Sequence, residues 1–237
     1  MKPITSFKNL SKFETGLWIT SVLIVTASGF FGGDGWLSTI ASLIGVTALI
    51  FVSKGDVLGQ FLTIVFAVLY GIISFSFTYY GEMLTYLCMT APIAALAVIS
   101  WIKNPSPENN SEVAVNRLKM SEIIFLILLT ILVTTAFYFI LSSLNTANII
   151  PSTISVTTSF LASYLTFRRS RFYAVAYAAN DIVLIVLWIM ATSVDIKYLS
   201  MVICFLMFFI NDMYGFIYWT KMKKRQSIYI NKGNFVE

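Results

Sequence analysis

Long apolar runs, broken by charges, Pro and Gly, set the pattern of this chain. No charged side chain occurs between Ile123 and Phe167, and only Glu82 occurs between Val57 and Ile102. Such runs match transmembrane helices of about 20 residues. The breaks predict eight spans near residues 15–31, 37–53, 58–78, 83–102, 121–142, 152–168, 172–193 and 198–219. The pattern therefore predicts an all-α integral membrane protein.

Basic residues fall on one side of these spans. If the N-terminus is cytoplasmic, the inside segments hold 15 of the 16 Lys and Arg residues, and only Lys197 lies outside. Those segments are residues 1–14, 54–57, 103–120, 168–171 and 220–237. The positive-inside rule then predicts a multi-pass protein of the cell membrane with both termini cytoplasmic. The net charge of +5 reflects this topology and contact with anionic lipid.

The loops predict an internal repeat. Tight loops join spans two to four and spans six to eight, whereas span five stands apart behind the polar loop "KNPSPENNSEVAVNRLK". A single linker helix lets two three-helix units run in the same direction, as in transporters with parallel repeats. The predicted parts are residues 1–36 (N-terminus and an additional first span), 37–102 (first repeat), 103–151 (loop and linker helix), 152–219 (second repeat) and 220–237 (basic tail).

Polar and aromatic residues in "FYAVAYAANDIVLIVLW" mark a candidate substrate site. Tyr173, Tyr177 and Asp181 are spaced at i, i+4 and i+8, so they share a helix face that Trp188 continues, with Asn180 beside it. Aromatic faces can stack on a planar ring and attract a cation. The amide and carboxyl groups can hold hydroxyl groups. This face therefore suits a ligand that has both a planar ring and hydroxyl groups.

Four further residues complete the candidate site. Asn211 and Asp212 repeat the Asn-Asp pair in the last span, and Gln60 and Tyr70 lie in the third. Polar groups in a membrane face an interior or a water-filled path because hydrocarbon penalises them. The alternative is that the Asn-Asp pairs only bond helices together. The acids of the two pairs, Asp181 and Asp212, could also carry protons in a proton-coupled transporter.

Other residues in the spans have simpler interpretations. Glu82, at the outer end of its span, is expected to be solvated, and Pro92 is expected to kink its helix. Trp101 and Trp219 end their spans, where interfacial anchoring is typical. The chain has no His and no metal-ligand cluster, and no cofactor is expected.

The chain resembles the PnuC family of vitamin transporters over most of residues 37–222. The likeness lies in "LIGVTALIFVSKGDVLGQFLTIVFAVLYGIISFSFTYYGEML", "ISWIKNP", "FLASYLTFRRSRFYAVAYAANDIV" and "YGFIYWTKMKK". It implies a SWEET-like fold of three, one and three helices behind an additional first helix. It also implies facilitated uptake of nicotinamide riboside, with trapping by a separate cytoplasmic kinase. The family's Trp pair is not kept, and only Tyr177 is an aromatic replacement in register. A (deoxy)nucleoside, thiamine or riboflavin therefore stays open as the substrate.

Rival functions have less support in the sequence. A lipid-modifying membrane enzyme would need a base or metal site, and the chain shows no convincing nucleophile-base pair. A receptor or assembly factor would need a larger soluble region. Nucleic-acid binding by the basic tail is also disfavoured. The oligomeric state, a homo-oligomer included, is open.

Overall fold

The computed structural model describes residues 3–32, 35–76, 78–146 and 148–233, and every long element in them is a helix. The helices are α1 (Pro3–Lys8), α2 (Lys12–Gly32), α3 (Trp36–Ser53), α4 (Val57–Ser76), α5 (Tyr80–Ile102), α6 (Met120–Ser143), α7 (Ile149–Phe167), α8 (Tyr173–Thr192) and α9 (Leu199–Gly233). A 3₁₀ turn, Ile196–Tyr198, precedes α9. The eight predicted spans correspond to α2–α9, which confirms the all-α prediction.

Length and composition suit seven of these helices to crossing a membrane by themselves. The eighth, α7, is the Ser- and Thr-rich span of the prediction. Many of its hydroxyls are buried against neighbouring helices, among them those of Ser155, Ser159, Ser163 and Thr166. The polarity of α7 therefore belongs to an interior face of the bundle.

Two three-helix units, α3–α5 and α7–α9, form the body of the bundle, with the linker helix α6 between them in sequence. The third helix of each unit packs on the first helix of the other: α9 on α3, and α5 on α7. Outside this body, α2 packs on α3 and α9, and α6 packs on α7 with most of its apolar surface exposed. The predicted arrangement of an additional helix and three, one and three helices is confirmed.

Equivalent hydrogen bonds at one end of the bundle relate the two three-helix units to each other. In α5, Trp101 Nε1 donates to the carbonyl of Thr166 in α7, at 3.0 Å. In α9, Trp219 Nε1 donates to the carbonyl of Val52 in α3, also at 3.0 Å. Each acceptor is the penultimate residue of its helix. The two Trp rings meet at 5.6 Å. Both side chains are at most 1% exposed, so the prediction that they are interfacial anchors was wrong.

The turns that follow α3 and α7 have the same geometry. Gly55 and Arg169 both adopt left-handed backbone angles, with φ of 70° and 56°. Their N–H groups bond to the carbonyls of Val52 and Thr166, at 3.0 and 2.9 Å. A left-handed residue that closes a helix in this way is a common helix stop. These turns, the 103–119 loop and the C-terminal part of α9 make up what we call the basic end of the bundle.

A π-helical segment, Thr85–Thr90, interrupts α5 just before Pro92. The N–H of Ala91 bonds to the carbonyl of Tyr86, five residues earlier. Proline cannot donate a helical hydrogen bond, and π-helical segments often occur at functional sites. At the place where a kink was predicted, near Pro92, the helix instead changes to π-helical geometry. The side chains of Tyr86 and Thr90 in this segment lie in the interior of the bundle.

Helix α2 is fixed to the basic end through Glu14. Ser11 and Glu14 form a reciprocal capping box, with Ser11 N–H donating to the carboxylate at 2.6 Å. Lys54 Nζ lies 3.2 Å from the same carboxylate, and the Tyr214 hydroxyl donates to it at 2.7 Å. Burial opposes the charge on Lys54, but Tyr218 and Glu14 raise the pKa of its ammonium group above the usual value. These contacts tie α2, the α3–α4 turn and α9 together.

The last helix continues well past the predicted end of its span at residue 219, to Gly233. Its extension packs on the 103–119 loop, because Gln226 exchanges hydrogen bonds with the backbone of Val113 and Val115. Arg225 adds ion pairs with Glu108 and Glu112 of that loop. The basic tail is therefore a docked helix through Gly233.

Candidate functional site

A small cavity of about 40 Å³ lies between the two three-helix units, in the middle of the bundle. Its polar lining consists of Gln60, Thr63, Tyr86, Thr90, Tyr177, Asn180, Asp181 and Asp212. Binding sites for small molecules usually enclose about 300–1,000 Å³. A space of this size holds a few water molecules, so the structure shows the cavity in a contracted state.

Five of the nine predicted site residues meet in this cavity: Gln60, Tyr177, Asn180, Asp181 and Asp212. They come from three helices, α4, α8 and α9, which the sequence could not place side by side. A larger cleft of about 540 Å³ lies at the surface beside the exposed side chains of Phe61 and Ile102. None of the predicted site residues lines that cleft.

Asn180 is both part of the cavity wall and a bond between helices. Its Oδ1 accepts hydrogen bonds from Ser155, Thr158 and Ser159 of α7, at 3.2, 2.8 and 3.0 Å. This confirms part of the alternative interpretation, in which the Asn residues hold helices together. Its Nδ2 donates to none of the described residues, which leaves that N–H₂ group for a molecule in the cavity.

The carboxyl groups of Asp181 and Asp212 lie within hydrogen-bonding reach of each other. Both side chains are 3% exposed, and Asp181 Oδ2 has no partner among the described residues. A hydrogen bond between two carboxyl groups requires a proton on one of them, so the pair carries at most one negative charge when it is closed. This arrangement can supply at most one negative charge, with a carboxylic acid hydroxyl beside it as a donor.

Aromatic rings form the apolar part of the cavity, and sequence reasoning missed three of them. Phe66 contacts Tyr86 edge-to-face at 5.9 Å and Phe208 at 5.2 Å. Gly45 leaves room for this group, because a Cβ there would lie 2.2 Å from Phe208 Cζ. The available signals were the i, i+4 spacing of Phe66 and the predicted residue Tyr70, and the position of Tyr86 before Pro92.

Three predicted site residues pack in aromatic layers above and below the cavity. Towards the basic end, the Tyr173 ring lies 4.9 Å from that of Trp219. Towards the opposite end, Trp188 Nε1 donates to the Tyr70 hydroxyl at 3.0 Å. The Tyr79 ring also lies 5.3 Å from that of Trp188. These layers close the cavity on both sides.

Two buried polar residues lie outside the cavity. Asn211 points towards α2, where its Nδ2 donates to Ser21 Oγ at 3.1 Å, and it also bonds the Met207 carbonyl at 2.8 Å. Glu82 is only 1% exposed, so the expectation that it is solvated was wrong. The reason is that α7 covers the start of α5: a Cβ on Gly81 would lie 3.2 Å from Ser152.

Comparisons with known proteins agree with this architecture. The family model described as "Nicotinamide mononucleotide transporter" matches residues 35–221. The "Nicotinamide riboside transporter PnuC" of Neisseria mucosa is 26% identical over 226 residues, covering 93% of this chain and 86% of that protein. The protein of the same name from Haemophilus influenzae is 24% identical, covering 81% of this chain and 82% of its own. The crystal structure of the vitamin B3 transporter PnuC superimposes with a TM-score of 0.81 at 25% identity, covering 92% of this chain and 94% of that one.

Proposed function

The chain belongs to the nicotinamide mononucleotide transporter family, and from this premise we propose that it takes up nicotinamide riboside across the cell membrane. The observation that carries the proposal is the cavity between the two units, in which aromatic rings surround one carboxyl pair. In this proposal, Tyr177, Asn180, Asp181, Asp212 and Gln60 contact the substrate. Tyr70, Tyr173 and Trp188 support the cavity from its edges, and Asn211 bonds to α2 outside it.

The lining of the cavity favours a riboside over its phosphate. Two Asp residues and no Lys or Arg occur among the described residues that line it. A phosphate group would bring about two negative charges next to these carboxyl groups, without a cation to compensate them. The pyridinium ring of nicotinamide riboside is a cation, which the carboxyl pair and the aromatic faces both attract.

The polar groups suit the other half of the molecule. Asn180 Nδ2 can donate to a ribose hydroxyl or to the carboxamide oxygen, and the Gln60 amide can both donate and accept. Thr90 Oγ1 is buried without a partner among the described residues, so a substrate hydroxyl would also satisfy it. A pocket that bonds hydroxyl groups in this way discriminates strongly against analogues that lack them.

The distribution of basic residues supports an orientation of the chain in the membrane. The basic end would face the cytoplasm, with both termini there, because the basic turns and the extended α9 lie at that end. Transport would be passive. A cytoplasmic kinase would convert the riboside to its phosphate, and the acidic cavity would not accept that phosphate for return. Net uptake then depends on the removal of free substrate inside the cell.

Uptake by reconstituted protein tests the proposal. Proteoliposomes that contain the purified full-length chain should accumulate labelled nicotinamide riboside to the outside concentration, and its mononucleotide should neither enter nor compete. Thiamine, riboflavin and deoxynucleosides serve as parallel substrates in the same assay. Preference for any of these, or for the mononucleotide, would refute the assignment.

A further inference from the structure

A second polar cleft, of about 430 Å³, opens at the basic end of the bundle, away from the central cavity. Four cations line it: Arg117 from the loop before α6, Arg171 from the α7–α8 turn, and Lys223 and Lys224 from α9. They converge from three separate segments of the chain. Thr220 and Ser227 complete the α9 side of the cleft, since positions 220, 223, 224 and 227 share one helix face.

None of these four cations has a carboxylate partner among the described residues, whereas three other cations at the same end do. At the same end, Lys54 pairs with Glu14, and Arg168 pairs with Glu122. The two acids of the 103–119 loop, at positions 108 and 112, both pair with Arg225. Because Arg225 lies on another face of α9, those acids do not neutralise the cleft. A concentration of positive charge therefore remains there.

Two polar atoms in the cleft wall also lack a protein partner. Arg171 Nε and Thr220 Oγ1 are withdrawn from solvent and bond to none of the described residues. The Arg171 guanidinium lies 4.8 Å from the Phe172 ring, which holds it at the edge of the bundle. An oxygen-rich anion would supply acceptors for both atoms and for the lysines, and Arg presents a planar fork of donors suited to phosphate.

We infer that this cleft binds a phosphate group, supplied either by the headgroup of an anionic phospholipid or by a soluble phosphorylated compound. The exposed Phe172 and Ile228 beside the cations could meet acyl chains in the first case. In the second, the cleft faces the aqueous side of the membrane. Its ligand would be an anion, whereas the ligand proposed for the central cavity is a cation, and the two sites share no lining residue.

Lys223 and Lys221 provide a matched pair for the test. Lys223 lines the cleft and is half-buried, whereas Lys221 is exposed and lies outside it. At constant ionic strength, inorganic pyrophosphate should raise the melting temperature of the full-length protein in neutral detergent. In nanodiscs, phosphatidylglycerol should raise it above the value in phosphatidylcholine. K223Q should lower the apparent affinity for either probe by roughly fivefold, as expected for the loss of one cation facing an anion. K221Q should leave that affinity unchanged.

The arms of the experiment separate the two sources. A response to pyrophosphate alone identifies a soluble phosphate, and a response to phosphatidylglycerol alone identifies a lipid headgroup. R171Q, which removes a cation from a different segment, should reproduce the loss even if K223Q folds poorly. The inference is overturned if neither probe stabilises the wild-type protein, or if K221Q weakens the response as much as K223Q. Since no vitamin is present, such a failure would leave the transport proposal intact.

Discussion

Neighbouring residues in this membrane interior have different surroundings, and the difference decides their role. Asn180 and Asp181 both line the cavity, but the amide oxygen of Asn180 is already bonded to three α7 hydroxyls. The Asp181 carboxyl has one oxygen without a partner and lies beside Asp212. Asn180 is therefore largely fixed, whereas the Asp pair can rearrange its proton and its charge around a cationic substrate.

Asp181→Asn tests the role of this charge. Asn keeps the size of the side chain and its ability to hydrogen-bond, but residue 181 can no longer carry the negative charge, which is then confined to Asp212. We expect uptake of the cationic riboside to fall at least tenfold, equivalent to about 1.4 kcal/mol, with less effect on a neutral nucleoside. Asp195→Asn, the same change after the end of α8, is the control. Wild-type uptake by D181N, with normal membrane insertion, would remove Asp181 from the site.

Pairs of helices from the two units are joined by equivalent contacts. Trp101 and Trp219 each carry one hydrogen bond from the third helix of a unit to the first helix of the other. Since membrane helices gain little from hydrophobic association, bonds and close packing of this kind hold the units together. The two Trp residues therefore act as structural links at the basic end.

Removal of one link should weaken the bundle. Trp219→Phe keeps an aromatic ring but removes the Nε1–H bond to the Val52 carbonyl, which retains the Gly55 N–H, and we expect this loss to destabilise the fold by about 1 kcal/mol. Trp101→Phe should have a similar effect through Thr166. Trp36→Phe is the matched control, because Trp36 is 75% exposed. Melting temperatures of the purified proteins measure the effect, and equal values for W219F and W36F would contradict it.

The site between the two units is too small, as the structure shows it, to hold a nucleoside. The cavity of about 40 Å³ is closed by aromatic layers on both sides, and both layers connect the two units. A nucleoside can enter only if one layer separates, and transport requires that each layer opens in turn. Rocking of one repeat against the other at a fixed site would produce this alternation.

Cross-links between the units should stop transport. A Cβ on Gly215 would lie 3.4 Å from that of Ser53 at the basic end, and one on Gly81 would lie 3.2 Å from that of Ser152 at the opposite end. Disulfides bridge Cβ atoms about 3.5–4.5 Å apart, so each pair can form one after the two helices separate by a few tenths of an ångström. In a background without Cys88 and Cys204, S53C/G215C and G81C/S152C should each lose uptake on oxidation and regain it on reduction. The four single-cysteine variants are controls, and full uptake by an oxidised pair would exclude movement at that end.

The sequence by itself determined the helices, the side on which basic residues gather, and the repeated order of the bundle. These properties depend on how much apolar surface each segment carries and where its charges lie, both of which can be read along the chain. The same reasoning identified Tyr177, Asn180 and Asp181 as unusual, since polar groups in hydrocarbon need a partner or a cavity.

Only the tertiary structure decided which helix face meets which. Helical spacing places Tyr173, Tyr177, Asp181 and Trp188 on one stripe, but only Tyr177 and Asp181 line the cavity. The ends of the stripe, Tyr173 and Trp188, pack against other aromatic rings. Asn211 turns to α2 because adjacent residues on a helix point about 100° apart. Phe66, Tyr86 and the buried Trp219 gain their roles from partners distant in sequence, which no periodicity along one segment can specify.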